Sequence, residues 1–170
     1  GDKCLCSNRG LGFKIDPVNP LLISEHIVSE LAPIVREKNQ VVIVVGAQEM
    51  PSFYADQRKV EQVLRNLVSN AVKYIASGKT VQIRWSLDER GAVILRVIDD
   101  GPGIPEEHHD RLFERFYRID KGRSRDVGGT GLGLAIVKHI MHGHGGTVQI
   151  KSQVGKGSEF ICTFPNRRNS

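Results

Sequence analysis

Val60-Glu61-Gln62-Val63-Leu64-Arg65-Asn66-Leu67-Val68-Ser69-Asn70-Ala71-Val72-Lys73-Tyr74 is the stretch on which the reading of this chain turns. At roughly 3.6 residues per turn, Asn66, Asn70, Lys73 and Tyr74 share about 100° of arc, and Val60, Val63, Leu67, Ala71 and Ile75 fill the sector beside them. A polar row bordering an apolar face is costly to desolvate unless it is partnered. Two carboxamide oxygens one turn apart can hold a hydrated Mg²⁺, a lysine can meet phosphate oxygens, and a tyrosine ring can cover a base. A helix edge satisfied by water has the same pattern, and the helix alone leaves both readings open.

Working upstream, Leu22, Ile23, Ile27, Leu31, Ile34 and Val35 recur at helical spacing and predict a first helix over residues 21–38, after a segment holding Pro17 and Pro20 that ends any earlier element. His26 is expected to be a partly exposed residue of that helix. The run VVIVV at 41–45 is short, β-branched and apolar, so it predicts a buried strand, and Pro51 closes the connection after it. Asp56 is the expected N-cap of the asparagine-bearing helix.

Downstream, residues 79–87 and 92–99 read as an antiparallel hairpin around the turn Asp88-Glu89-Arg90-Gly91. A short helical piece follows Pro105. Residues 117–129 are too polar and glycine-rich for core and are expected to form a mobile loop. Residues 132–141 carry the apolar spacing of a third long helix, and 145–151 with 159–164 predict a closing hairpin. This order predicts an α+β fold, a two-layer α/β sandwich with a mixed, mostly antiparallel sheet and three main helices on one face. No internal repeat or low-complexity segment is present.

At 170 residues the chain has room for one domain with a sizeable core. No apolar run approaches the roughly 20 residues of a membrane span, and no segment reads as a signal peptide. The chain begins with Gly rather than Met, so it is expected to be a piece of a longer product. Cys4, Cys6 and Cys162 lack zinc-site spacing and suit free thiols in a reducing cytoplasm. The net charge of +5 suits an anionic partner in general. Its distribution argues against nucleic acid: Arg118, Lys121, Arg123 and Arg125 lie in one polar stretch and Arg167 and Arg168 at the tail, with no basic helix face among aromatic residues.

Two glycine clusters add chemistry. In Asp99-Asp100-Gly101-Pro102-Gly103-Ile104-Pro105 a carboxylate at a strand end can accept a base's amino proton where the backbone passes close, and a tight turn capped by acids fits about as well. Gly128-Gly129-Thr130-Gly131-Leu132-Gly133 opens the third helix, where free amides and the helix dipole make an anion site suited to phosphate. A Rossmann fingerprint is excluded because a charged loop, not a strand, precedes Gly128. A Walker P-loop is excluded because Ile150 stands where its first glycine belongs and Gly157 follows Lys156. Gly155 and Gly157 read as a hairpin turn, with Ser158 offering a hydroxyl to a base pocket.

Taken together these residues resemble, over nearly the whole chain, the catalytic ATP-binding domain of bacterial two-component sensor histidine kinases, a Bergerat-type fold. Four motifs stand in family order: the Asn box of Asn66, Asn70, Lys73 and Tyr74; the Asp99-x-Gly101-x-Gly103 box; the Phe box Leu112-Phe113-Glu114-Arg115-Phe116-Tyr117-Arg118; and the Gly129-x-Gly131-Leu132-Gly133 box. The ending, from Gly145-Gly146 to Gly155-Lys156-Gly157-Ser158-Glu159-Phe160, is similar to the family's closing hairpin.

The resemblance implies that Asn70 coordinates Mg²⁺, that Asn66 supports metal and phosphates, and that Asp99 recognises the adenine amino group. Lys73 and Arg118 are then phosphate contacts, and Tyr74 stacks on or borders the base. Gly101, Gly103, Ile104, Thr130, Gly131, Leu132, Gly133 and Ser158 complete the implied nucleotide-binding set. Phe113 and Phe116 are expected to anchor an ATP lid at 117–129, which amounts to core packing, and Gly131 and Gly133 let that lid approach the phosphates. The implied division is a remnant linker and first short strand at 1–15, the ATP-binding domain at 16–165, and a basic tail at 166–170.

Phosphoryl transfer is mostly positioning and charge neutralisation, so Asn66, Lys73 and Arg118 with a metal and a helix N-terminus form a sufficient cradle. In related ATPases of the superfamily, gyrase and the heat-shock chaperone among them, the position of Asn66 is a glutamate that activates water. A carboxamide has no useful basicity, so poor hydrolysis and transfer to a better nucleophile are expected. The family's nucleophile is a histidine followed by an acid and, further on, a proline; His108, His109, His139, His142 and His144 lack that context and are expected to have surface or helix-end roles. The chain is therefore expected to be a protein-histidine kinase's catalytic domain for two-component signal transduction, using ATP and Mg²⁺. Its partners are then a dimerisation and phosphoacceptor domain of the same kinase and, indirectly, a response regulator. It is expected to be monomeric alone, on the cytoplasmic side of a membrane-anchored parent. An ATPase of the same fold and a non-catalytic nucleotide-sensing module are the alternatives.

Overall fold

A computed structural model of the chain describes residues 12–117 and 133–166. Strand β1, Ile15–Val18, runs across the expected boundary at residue 16 and is followed at once by helix α1, Pro20–Glu37. Asn19 caps that helix, its side chain accepting from the Leu22 N–H at 3.1 Å, and Pro20 takes the first helical position, where its missing N–H costs nothing. Strand β2, Val41–Val45, a single 3₁₀ turn and strand β3, Phe53–Asp56, lead into helix α2, Gln57–Tyr74. Asp56 caps α2 as expected, its Oδ1 accepting from the Lys59 N–H at 3.2 Å.

Strands β4, Thr80–Leu87, and β5, Val93–Asp99, form the predicted hairpin, closed by Asp88 accepting from the Arg90 and Ala92 N–H groups. A 3₁₀ segment over Glu106–Arg111, helix α3, Gly133–Gly143, and the hairpin of β6, Thr147–Gln153, and β7, Gly157–Phe164, complete the described order.

Five strands form one sheet in the order β2-β4-β5-β7-β6, with β2 parallel to β4 and the other pairs antiparallel. The β1–β3 ribbon stands apart as a second, two-stranded sheet; a first short strand is expected within residues 1–15, but neither its course to Val18 nor its pairing with β3 is foreseen. The helices cover one face. Period-2 alternation sends Val81, Ile83 and Trp85 of β4, Leu95 and Val97 of β5, and Phe160, Cys162 and Phe164 of β7 into the core, where Ile23 and Ile27 of α1, Val63, Leu64 and Leu67 of α2, and Val137, Ile140 and Met141 of α3 meet them. Trp85 Nε1–H donates to the buried Ser24 Oγ at 2.7 Å and so fastens α1 to the sheet.

Two expectations change. The VVIVV strand lies at an edge, and Val41, Ile43 and Val45 are exposed by 51%, 39% and 36%, because only the face carrying Val42 and Val44 is covered by helices. His144 keeps its expected place at a helix end, directly after α3, but it is no surface residue: it is 2% exposed in the core beside the rings of Phe13 and Phe164.

Candidate functional site

The polar row is carried by a helix tied down at both ends. At its start, the Asp56 N–H donates to His144 Nε2 at 3.0 Å, while His144 Nδ1 bonds the Ile140 carbonyl at 2.9 Å. A carbonyl only accepts, so the imidazole proton is on Nδ1 and Nε2 is the acceptor. The Asp56 carboxylate also takes the Lys14 N–H at 2.7 Å, binding the start of β1 to the same point. At the far end, Lys38 Nζ donates to the carbonyls of Val72, Lys73 and Ile75, and Gln40 Nε2 donates to those of Val72, Ile75 and Ala76. A cation on the last carbonyls of a helix is favoured by both hydrogen bonding and the dipole. Buried Gln40 Oε1 has no hydrogen-bond partner.

Along α2 the apolar sector is buried, Asn66 and Asn70 are half-buried at its border, and Lys73 and Tyr74 are exposed. Asn66 Nδ2 donates to the carbonyl of Gly133, the first residue of α3, at 3.2 Å. That bond orients the carboxamide: its nitrogen is engaged, and its oxygen remains as a hard donor of the kind Mg²⁺ takes. Asn70, one turn on, carries the same group. Among the described residues no cluster of three or more His, Cys, Asp or Glu stands together. Donors of this kind suit an ion completed by water and phosphate oxygens, which is how Mg²⁺ is usually held.

Asp99 ends β5 beside this helix. Its Oδ1 accepts the Gly101 N–H at 2.9 Å, so the acid does cap a tight turn, as one of the two sequence readings has it. The carboxyl is more than half buried, and that burial raises its pKa above the ordinary carboxylate value. The N–H groups of Gly101 and Ser158 pull the other way, and Asp100 adds to the rise. The turn has no room for side chains: a Cβ on Gly101 would lie 2.6 Å from Ile75 Cγ2, and one on Gly103, at φ +80°, would lie 2.2 Å from the Gln153 carbonyl oxygen. Ile104 is half-buried; its N–H goes to Ser152 Oγ at 2.7 Å, and its carbonyl takes His109 Nε2 at 2.9 Å. Ser158 is 7% exposed, and its hydroxyl lies 2.9 Å from Ser152 Oγ. Asp99, Ser152 and Ser158 line an open recess of about 350 Å³ at the end of the β6–β7 hairpin. Lys151 and Glu159 line it from the other face of the sheet.

The Phe box divides. Phe113 packs edge-on against Phe160 at 6.1 Å, as a core anchor should. Phe116, expected to do the same, is 66% exposed and has a φ of +65°. Tyr117 is held instead, its hydroxyl bonded to His108 Nδ1 and its ring 4.6 Å from the Arg111 guanidinium. Arg118, Thr130, Gly131 and Leu132, the loop expected at 117–129 beyond Tyr117, and Cys4 and Cys6 lie outside the described residues. Gly133 is described, and an added Cβ there would sit 3.9 Å from Asn66 Cγ, an ordinary contact, so packing against the described residues does not require the glycine.

The structure thus brings Asn66, Asn70, Lys73, Tyr74 and Gly133 along α2 and the N-terminus of α3, and Asp99, Gly101, Gly103 and Ile104 along the neighbouring turn, with Ser158 facing Asp99 from β7. Ser152, His144, Lys38 and Gln40 were missed. Of these, Ser152 had a local signal: Val148, Ile150 and Ser152 share the inward face of β6, and a lone hydroxyl on an apolar face asks for partners.

Comparison with known proteins gives a consistent picture. A family model described as "Histidine kinase-, DNA gyrase B-, and HSP90-like ATPase" matches residues 55–168. The phosphate regulon sensor protein PhoR of Pseudomonas aeruginosa is 48% identical over 122 residues, which are 72% of this chain and 27% of that protein. The sensor-like histidine kinase SenX3 of Mycolicibacterium smegmatis is 41% identical over 152 residues, 89% of this chain and 38% of that one. The crystal structure of full-length ShkA in complex with AMPPNP superposes with a TM-score of 0.81 at 29% identity, over 93% of this chain and 32% of that chain. The chain spans well under half the length of each.

Proposed function

This chain belongs to the histidine kinase-, DNA gyrase B- and HSP90-like ATPase family, and on that premise we propose that it is the catalytic domain of a sensor histidine kinase. It binds Mg-ATP and passes the γ-phosphoryl group to a histidine on a dimerisation domain of the same kinase, from which a response regulator is served in turn. The parent is membrane-anchored with this domain on its cytoplasmic side, and the domain alone is monomeric. Among the described residues no helix is long and apolar enough to cross a membrane.

The observation that carries the proposal is the bond from Asn66 to Gly133. It sets the carboxamide row against the N-terminus of α3, where the first amides and the helix dipole favour phosphate. Lys73 brings an exposed ammonium to the same side, Arg118 serves the phosphates as the second cation, and Thr130, Gly131 and Leu132 belong to the nucleotide-binding set. Asp99 accepts the adenine amino proton, with Gly101, Gly103, Ile104 and Ser158 closing around the base and Tyr74 bordering it. The oxygen of Asn70, with Asn66 in support, would hold Mg²⁺, which would supply charge neutralisation at the phosphate oxygens.

Among the described residues the polar row of α2 offers no base for water. At the place where a hydrolase needs a carboxylate stands Asn66, which has no useful basicity. Transfer to an external nucleophile is therefore favoured over hydrolysis. Incubating the chain with radiolabelled Mg-ATP and a separately made dimerisation hairpin is expected to place an acid-labile, base-stable label on the hairpin. Nucleotide binding with phosphate release and no labelled hairpin would mean an ATPase, and binding with neither would mean a sensing module.

A further inference from the structure

Ser152 of β6 holds three partners at once. Its Oγ accepts from the Ile104 N–H at 2.7 Å, donates to the Gly157 carbonyl at 2.9 Å, and meets Ser158 Oγ at 2.9 Å. A serine hydroxyl has one proton and two lone pairs. The carbonyl can only accept, so the proton goes to Gly157. The Ile104 N–H takes one lone pair. Only the second lone pair is left for Ser158, so in that contact Ser158 must be the donor.

The surroundings leave this arrangement little freedom. A Cβ on Gly157 would lie 2.1 Å from the Asp99 carbonyl oxygen, and one on Gly103 would lie 2.2 Å from the Gln153 carbonyl oxygen, so turn and hairpin are clasped backbone to backbone. Ser158 is 7% exposed, which leaves little bulk water to compensate a reoriented hydroxyl.

We propose that Ser152 is a specificity-determining positioning residue: by taking up the proton of Ser158 it makes Ser158 an acceptor only, beside the acceptor carboxylate of Asp99. The proposal rests on the reading of Asp99 and Ser158 as parts of the base site. Two adjacent acceptors suit a purine that brings protons at position 6, the amino group of adenine. They oppose a 6-oxopurine, whose oxygen meets lone pairs on both sides.

The test is the affinity of the chain for ATP and for inosine triphosphate, by competition against a fluorescent ATP analogue at pH 8. The unaltered chain is expected to prefer ATP. Ser152→Ala frees the Ser158 proton to meet the 6-oxygen, and the preference should shrink by roughly five- to tenfold, the worth of one hydrogen bond. Ser152→Thr keeps the hydroxyl and should keep the preference. Ser158→Ala leaves Ser152 its backbone partners and should shrink the preference too, and adding Ser152→Ala to it should change the preference no further. A Ser152→Ala chain that loses both nucleotides equally, or an effect that persists without Ser158, overturns this proposal alone. An unaltered chain that binds no ATP, or binds both nucleotides alike, overturns the base-site reading and this proposal with it.

Discussion

The side-chain amide of Asn66 and the main-chain carbonyl of Gly133, 67 residues apart in sequence, are joined across 3.2 Å, and this bond is where α2 meets the first residue of α3. Asn66→Ala removes a neutral hydrogen bond and should lower stability by about 1 kcal/mol, a drop of about 2–4 °C in Tm for a chain of this size. Asn66→Asp sets a carboxylate against the carbonyl and should cost more, about 1–3 kcal/mol. Thermal unfolding of both variants checks the order. Phosphoryl transfer should fall at least tenfold in each, an order-of-magnitude expectation for losing one positioning contact.

Two glycines separate fold from ligand. Gly103→Ala forces a side chain into the left-handed region and within 2.2 Å of a backbone oxygen, so it should destabilise by several kcal/mol, on the order of the larger backbone and overpacking effects. Gly133→Ala meets only an ordinary contact and should leave Tm unchanged or slightly raised. Weakened ATP binding by a Gly133→Ala chain of full stability would assign that glycine to the nucleotide; unchanged binding would remove it from the site.

The raised pKa of Asp99 gives a pH signature. A carboxyl whose folded value lies above its unfolded value stabilises the fold while protonated, and that contribution is lost as pH rises through the folded value. At neutral pH the ionised group is held at a cost. Asp99→Asn keeps an acceptor for the Gly101 N–H without the charge, so its Tm should equal or exceed that of the unaltered chain at pH 7–8. The difference should fade as pH falls through the carboxylate range. ATP affinity should meanwhile drop roughly tenfold or more at pH 8, because the strong charge-assisted acceptor is gone. A parallel fall of Tm and affinity would locate the defect in folding.

Lys38 and Gln40 share carbonyls at the end of α2: Val72 and Ile75 each receive a donor from both. Either loss alone leaves those carbonyls one donor. Lys38→Met should cost about 1 kcal/mol in urea unfolding, and Lys38→Met with Gln40→Met should exceed the sum of the single changes by at least about 0.5 kcal/mol. Strict additivity would show that the two donors act separately.

Cys162 lies fully buried, and burial pushes its thiol up to about 12. At pH 8 an aromatic disulfide reagent should leave Cys162 unmodified in the folded chain and modify it in denaturant, as peptide mass mapping will show.

Much of this architecture was legible because its signals are local. The 3.6-residue period of α2 places Asn66, Asn70, Lys73 and Tyr74 beside an apolar stripe without knowledge of any partner, and the Asp88 to Gly91 turn announces its hairpin. The features that escaped depend on distant residues. β1 and β3 are four residues each, one contains Pro17 and the other ends in a helix cap, and only the pairing of Ile15 with Asp56 makes either a strand. His144 reads as a helix-end residue until Phe13, Phe164 and the Asp56 N–H close over it. An unbroken apolar run such as Val41–Val45 suggests burial on both faces, but at the edge of a sheet whose helices lie on one side Val41, Ile43 and Val45 stay exposed. Phe116 departs from its box, combining 66% exposure with a φ of +65°, and neither is signalled by its residue type.

The pegs at the two ends of α2 make its residue count a constant of the machine. The helix is 18 residues long, with an imidazole fixing its first turn and an ammonium and a carboxamide gripping its last. One residue inserted anywhere between them advances the downstream part by about 1.5 Å and rotates it by about 100°. The far peg and the polar row then cannot both keep their partners. Exposed positions of the helix other than Lys73 and Tyr74 can be repainted freely, but its timing cannot be changed, and a single added or missing residue between the pegs would break their spacing while leaving every side chain named above in the sequence.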